Sequence, residues 1–198
     1  MTVPLPGAFN VSNAVAAVVA LVSQGFDLAQ LVAEIATLAG VPGRMERVEA
    51  GQQFTVVVDY AHKPEAIEAV LTALRPVTAG RLIVVLGAGG DRDRGKRPIM
   101  GEVAAKLADV LIVTDDNPRS EDPAAIRSAV LAGTQDAMAM TSEISDRREA
   151  IAAAVAQARP GDTVVVAGKG HEQGQQVGDI VHPFDDREVL LDLLGELP

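Results

Sequence analysis

No cysteine occurs among the 198 residues, so disulfides, thiol nucleophiles and cysteine metal sites are all excluded, and the redox compartment is left open. Histidine is scarce as well: His62, His171 and His182 are scattered, and no ligand pair has the spacing of a zinc site. An excess of positive charge is also missing. Lys and Arg number 17 against 27 Asp and Glu, a formal net charge of -10. Phosphate surfaces repel such a chain unless a local basic patch overrides the global field, so a general nucleic-acid or membrane-surface binder is not expected. Small anions stay allowed. No segment reaches the roughly 18 apolar residues of a membrane span, and the start from Met1 to Gly7 has neither a basic n-region nor a long apolar core. A cytoplasmic location is expected. Repeats, low-complexity tracts and long linkers are lacking too.

What is there reads as a soluble globular chain, 48% hydrophobic and 22% charged, long enough for one domain or one with a small appendage. It begins with two helices. Ser12 or Asn10 can cap a run from Asn13 to about Gln24 that Gly25 ends, and a second helix is expected from Asp27 to about Ala39 before Gly40-Val41-Pro42-Gly43. No strand precedes them closely, so residues 1–43 look like the tail of something larger or an appendage. From Arg44 the pattern becomes strand, loop, helix, repeated. Strands are expected at Phe54–Asp59, Arg81–Leu86, Val110–Thr114, weakly near Ala137–Met140, and at Thr163–Ala167. Helices are expected at Pro64–Leu74, at Ile99–Leu107 with Pro98 first, and from about Pro123 to Ala132, Ser145 to Ala158 and Asp185 to Leu194. Short strands around Gln176–Val181 complete the set. Near-continuous apolar strands alternating with helices predict an α/β fold with a mostly parallel sheet covered on both faces.

The run Val110–Thr114 stops in Asp115-Asp116-Asn117-Pro118-Arg119. In open α/β sheets ligands collect beyond the carboxyl ends of the strands, which makes Asp115, Asp116, Asn117 and Arg119 candidate contacts. Pro118 fixes its own φ and pushes Asn117 toward extended geometry. Taken alone, the loop also reads as a solvated turn leading into a helix at Ser120-Glu121-Asp122-Pro123. The loop after Leu86 packs Arg92, Arg94, Lys96 and Arg97 into an otherwise acidic chain. There Gly90-x4-Gly95-Lys96 matches most of a P-loop between strand and helix. Yet Arg97 and Pro98 stand where a hydroxyl for magnesium belongs, so a carboxylate or phosphate clamp by Arg92 and its neighbours is expected, with a flexible basic loop as the alternative. After Ala167, Gly168-Lys169-Gly170-His171-Glu172 combines glycines that let backbone approach a ligand with three different charges, or forms a plain glycine-rich turn. Asp59-Tyr60-Ala61-His62-Lys63-Pro64 ends the first strand in the same way. A histidine there offers titration near neutrality, although a lone one often only caps a helix or fills a hydrogen-bonded niche.

Asp59-Tyr-Ala-His-x-Pro64, Gly89-Gly-Asp-Arg-Asp-x-Gly-Lys-Arg-Pro98, Thr114-Asp-Asp-Asn-Pro-Arg119 and Gly168-Lys-Gly-His-Glu172, in this order and spacing, resemble the C-terminal part of a Mur ligase. Within that family they are similar to the branch that adds meso-diaminopimelate, whose signature is the Asp-Asn-Pro-Arg quartet. The resemblance covers essentially the whole chain. It implies a C-terminal Rossmann-like, amino-acid-binding domain over residues 44–198. Residues 1–43 would be a helical remnant of the central ATPase domain, with Pro6-Gly-x-Phe-Asn-x-x-Asn13-Ala matching its last stretch, although many relatives have histidine where Phe9 stands.

Carried over position by position, Arg92, Asp116, Asn117, Pro118, Arg119, Gly168 and Glu172 match the family's diaminopimelate-binding residues, and Asn13, Arg44 and Asp59 match residues facing the adenosine of ATP. The implied reaction is ATP-driven amide formation. Phosphorylation activates a glutamate side-chain carboxylate of a UDP-N-acetylmuramoyl-dipeptide, and an amine of diaminopimelate attacks it. The family's UDP-binding domain, Gly-Lys-Thr P-loop, magnesium ligands and carbamoylated lysine have no counterpart in the sequence. ATP and Mg are therefore expected to bind mainly elsewhere, this chain by itself is expected to be inactive, and no catalytic residue or metal ligand is assigned. A monomer is expected. Another Mur-type or folylpolyglutamate-type ligase domain, or a nonenzymatic metabolite-binding module, is the alternative.

Overall fold

A computed structural model describes residues 3, 7–37, 40–135 and 137–197. The chain divides into two compact units, Met1–Val41 and Pro42–Pro198. The first holds α1 (Ala8–Ser23) and α2 (Leu28–Ile35), packed through Ala14, Val18 and Ile35 against Val3 and Leu31. Asp27 caps α2 by accepting from Gln30 N–H. Two sequence expectations shift here. α1 starts at Ala8 behind Gly7, not at Asn13, so Asn10 and Ser12 lie inside the helix; its first turn closes on the Gly7 carbonyl, which accepts from Asn10 N–H at 3.0 Å, and no capping side chain is used. α2 ends at Ile35, and the expected end at Ala39 lies outside the described residues.

The second unit is built on a six-stranded sheet. Its strands are β1 (Glu46–Arg47), β2 (Thr55–Asp59), β3 (Leu82–Ala88), β4 (Val110–Asp115), β5 (Met140–Glu143) and β6 (Thr163–Ala167), in the order β1-β2-β6-β3-β4-β5. β2 to β5 and β6 run parallel, and β1 is antiparallel to β2. The period-2 alternation sorts side chains onto two cores. Val84, Leu86, Leu111 and Val113 face α3 (Pro64–Leu74), α4 (Lys96–Leu107) and α5 (Pro123–Leu131), where Ile67, Leu71, Met100, Ala104, Ile126 and Val130 wait. Ile83, Val85, Val110 and Ile112 face α6 (Arg147–Gln157) and α7 (Asp186–Gly195) through Ile151, Ala154, Leu190 and Leu194. Burying each such side chain contributes roughly 1.5–3 kcal/mol. That term fixes the register.

α3 begins at Pro64 and buries Ile67, Val70, Leu71 and Leu74, a stripe at helical spacing. Asp122 caps α5 by accepting from Ala124 N–H. α4 starts at Lys96, so Pro98 is its third residue and not its first; the first turn has no intrahelical use for that N–H, and a proline there costs no bond. The weak strand lies at Met140–Glu143, later than expected, because its register is set by β4 (Val110 opposite Met140) and not by apolar pattern in a largely exposed edge. β1, too short and polar to be read from the sequence, adds the antiparallel edge. A separate hairpin of β7 (Gly174–Val177) and β8 (Ile180–Pro183) turns at Gly178-Asp179, with Gly178 at φ 59°.

Candidate functional site

Strand order brings the loops after β2, β6, β3 and β4 side by side along the carboxyl edge of the sheet. They enclose a cavity of about 660 Å³ lined by Arg92, Asp116, Asn117, Arg119, Gly168 and Glu172, together with Tyr60, His62, Lys63, Asp93 and Lys96. Pro118 does not line it. A methyl placed on Gly90 would sit 1.8 Å from the Pro118 carbonyl oxygen, so the proline loop and the basic loop touch backbone to backbone. Asp115 points elsewhere and pairs with Arg127, which also holds Glu143 at 2.6 Å.

Beneath the cavity wall lies Lys169, fully buried. Its Nζ donates to Asn117 Oδ1 at 2.9 Å and stands 3.5 Å from Glu172 Oε2 and 3.8 Å from Asp116 Oδ1. Burial pulls the affinity of this lysine for its proton down, and Asp116 opposes that shift. Asn117 Nδ2 donates to Glu172 Oε2 at 2.8 Å. The sequence offered Lys169 only as one charge in a glycine-rich turn, and its interior position comes from folding.

The four basic side chains of the loop after β3 separate by role. Arg97 is 3% exposed and donates to both oxygens of Glu121 and to the Gly89 carbonyl. Arg94 reaches the same Glu121 at 3.0 Å. Lys96 donates to the His62 carbonyl at 2.9 Å, and burial lowers its pKa. Arg92 is exposed and bonds only weakly to the neighbouring Asp91 carbonyl, at 3.2 Å. One arginine of the four is thus left for a ligand. Three N–H groups that a phosphate cradle would draw on are taken: those of Gly90, Asp91 and Gly95 donate to the Asn117 carbonyl, Glu121 and Asp93.

Arg119 has φ 52°, a left-handed conformation that a side chain of its size rarely adopts. It is held from outside. Arg119 N–H donates to the Gln176 carbonyl at 3.0 Å and Gly178 N–H to the Arg119 carbonyl at 2.7 Å, so β7 pairs with the loop. Gln175 Nε2 donates to the Asp116 carbonyl and Gln176 N–H to Asn117 Oδ1. The Arg119 Nη1 donates to the Gly90 carbonyl at 2.7 Å. No local signal in Gly174–Val177 marks this support.

The other candidates divide. Asp59 is 6% exposed and its two oxygens accept from Met45 N–H and Ala61 N–H; burial nevertheless raises its pKa. Arg44 is exposed, its guanidinium 4.5 Å above the Tyr60 ring. Tyr60 also contacts the rings of His62 and His171, at 4.6 and 5.5 Å between centroids, and burial, then Glu172, raises its pKa. His62 Nδ1 lies 2.7 Å from the Tyr60 carbonyl, an acceptor, so that nitrogen carries the proton. Asn13 belongs to the first unit. Among the described residues no group of three His, Asp or Glu is placed to hold a metal ion.

Comparison with known proteins gives this geometry a family. The model of the Mur ligase, glutamate ligase domain, matches residues 43–170. A UDP-N-acetylmuramoyl-L-alanyl-D-glutamate--2,6-diaminopimelate ligase of Streptomyces avermitilis is 55% identical over 197 residues, covering 98% of this chain and 39% of that protein. One of the same name from Brucella melitensis is 57% identical over 184 residues, 92% of this chain and 37% of that protein. A solved structure of a ligase of that name superposes with a TM-score of 0.75 at 44% identity, covering 98% of this chain and 40% of that one. The chain spans well under half the length of the relatives it matches. By the match over residues 43–170, around a cavity at the carboxyl edge of its sheet, the chain belongs to the Mur ligase family and carries the glutamate ligase domain.

Proposed function

We propose that this chain is the amino-acid-binding part of an ATP-dependent ligase that adds meso-diaminopimelate to UDP-N-acetylmuramoyl-L-alanyl-D-glutamate in cytoplasmic peptidoglycan synthesis. The observation that carries the reading is one cavity lined by two arginines, Arg92 and Arg119, and two acids, Asp116 and Glu172. Diaminopimelate has two carboxylates and two amines, and guanidinium forks and carboxylates are their complements. Asp116 and Glu172 orient an ammonium end, Arg92 and Arg119 take carboxylates, Asn117 and Gly168 shape the wall between them, and Pro118 acts from behind it through its carbonyl contact with Gly90. Held so, the reacting amine meets the activated glutamate carboxyl carbon in one orientation, and positioning supplies much of the rate. Phosphate then leaves as the amide forms.

ATP supplies the phosphoryl group that activates the carboxylate, and Mg accompanies it. The residues of Pro42–Pro198 are a poor fit for a magnesium triphosphate: no metal-ligand cluster occurs among the described residues, Arg97 and Pro98 stand where a hydroxyl for the metal belongs, and the Gly90, Asp91 and Gly95 N–H groups are in use. Both are bound mainly by another part of a longer ligase, whose central ATPase domain would end in the helices of residues 1–43. The exposed Val11, Val15, Val19 and Val22 of α1 support a partner surface of that kind. Of Asn13, Arg44 and Asp59, assigned to the adenosine side, Arg44 has the best support because its guanidinium is exposed, whereas both Asp59 oxygens hold backbone. The ligase acts as a monomer without nucleic acid.

The test is Arg119→Ala in the full-length ligase. Lysine and diaminopimelate differ by one carboxylate, which a planar guanidinium takes with two bonds. Losing one partner of such a pair costs about 2–5 kcal/mol, roughly 30- to several-thousand-fold in kcat/KM. The variant is expected to lose that factor with diaminopimelate and change little toward lysine. Equal proportional loss on both amino acids would show that Arg119 only holds the loop.

A further inference from the structure

We propose that Lys169 is a positioning residue for amino-acid recognition: its ammonium, buried beneath the cavity wall, fixes the Asn117 amide and binds Asp116 and Glu172 into one anionic face. The inference rests on the reading of the cavity as an amino-acid site.

Three observations carry it. The first is the Asn117 amide. Its Oδ1 accepts from Lys169 Nζ and from Gln176 N–H, each at 2.9 Å, while its Nδ2 donates to Glu172 at 2.8 Å. A flipped amide would set its NH2 against two donors and its oxygen against a carboxylate, so only one orientation is tolerated. Lys169 Nζ and Gln176 N–H together fix which Asn117 atom meets Glu172, and Lys169 is the charged one of the two donors.

The second is charge. Asp116 and Glu172 arrive from different strands, β4 and β6, and a cation 3.8 and 3.5 Å away stands close to both. The other charges facing Lys169 are Arg147 on α6 and Asp186 on α7, and those two already satisfy each other. Asp116 and Glu172 are thus the counter-charges of Lys169. Without it, two carboxylates would share a partly desolvated corner.

The third is the backbone. Lys169 sits between Gly168 at φ 118° and Gly170 at φ 55°. A methyl on Gly168 would stand 2.6 Å from Asp116 Oδ2, and one on Gly170 would stand 2.7 Å from Tyr60 Cβ. The glycines let the turn drive a long cationic side chain inward. Burying an ammonium is costly, and a methionine would fill the same space without that cost. Packing alone gives no reason for lysine there.

The experiment uses the full-length ligase with meso-diaminopimelate, ATP and the UDP-sugar dipeptide, comparing the parent with Lys169→Met and Lys169→Gln. Methionine keeps volume and loses both donor and charge, whereas glutamine keeps a donor. Lys169→Met is expected to raise the KM for diaminopimelate by about 30-fold or more, with the KM of the UDP-sugar dipeptide unchanged and Lys169→Gln in between. If Lys169→Met does not fold, Lys169→Gln decides by the same readings. An unchanged KM for diaminopimelate, or an equal rise in KM for all three substrates, overturns the proposal while the amino-acid site stands. A parent without diaminopimelate-dependent turnover overturns the amino-acid reading, and the role of Lys169 with it.

Discussion

Arg147 and Asp186 are joined by two hydrogen bonds, Nε to Oδ1 at 2.7 Å and Nη2 to Oδ2 at 2.8 Å, and both side chains are fully buried. The same Nη2 donates to the Ala167 carbonyl at 3.1 Å, on the last residue of β6. The pair thus ties the starts of α6 and α7 to the strand end from which the Gly168 loop departs. Removing one partner of a buried pair strands the other, at a cost of about 3–5 kcal/mol, whereas replacing both by apolar groups is often close to neutral. Urea unfolding is expected to show that loss in Arg147→Met and most of it recovered in Arg147→Met combined with Asp186→Leu. A double variant as unstable as the single one would contradict this.

Arg92→Ala and Arg94→Ala, in the full-length ligase, are expected to part company. Arg94 is a surface partner of Glu121 at 3.0 Å with 75% of its side chain exposed, and such pairs contribute about 0–1 kcal/mol. Arg92 lines the cavity. The KM for diaminopimelate should rise by about 30-fold or more in Arg92→Ala and stay near parental in Arg94→Ala, with the KM of the UDP-sugar dipeptide steady in both. Parallel behaviour of the two variants would return the whole loop to a structural role.

Glu121 carries an acid-stability signature. Hydrogen bonds from Arg97 hold its carboxyl down from the ordinary 4.5 to about 2. A carboxyl whose pKa is lower in the folded state stabilises that state above the unfolded value and loses the contribution as pH falls through the folded one. The contribution of Glu121 should therefore be complete above 4.5 and fade toward about 2. Denaturant midpoints measured at stepped pH are expected to fall less steeply over that window in Glu121→Gln than in the parent. Identical slopes would remove Glu121 from the account.

Gly168→Ala tests the contact between loops. Gly168 has φ 118°, and an added methyl would meet Asp116 Oδ2 at 2.6 Å. Backbone strain of this kind costs on the order of 1–3 kcal/mol, and relief requires Asp116 to move. A lower melting temperature together with a raised KM for diaminopimelate is expected. A stability loss with unchanged KM would show that Asp116 does not touch the amino acid.

Periodicity alone determined that this chain is an α/β protein with a mostly parallel sheet, because near-continuous apolar strands need a cover on both faces. It also marked the loops after Asp59, Leu86, Thr114 and Ala167, since residues that stop an apolar run sit at a strand's carboxyl end. The four ordered motifs carried the family. What the sequence could not determine was which charges remain for a ligand. Arg97 and Glu121 are 24 residues apart, Arg147 and Asp186 39, and Lys169 and Asn117 52. Local pattern holds no information about such pairs. Arg97 meets Glu121 because β3 lies beside β4, and Lys169 meets Asn117 because β6 inserts between β2 and β3, which sets the last of the loops in the chain among the earlier ones. That insertion places Lys169 under Asn117 and the β7 edge against Arg119, while pairing of Arg94 and Arg97 with Glu121 leaves Arg92 as the arginine of its loop that lines the cavity with no ion pair among the described residues. Burial and long-range pairing made that selection, and only the folded chain contains them.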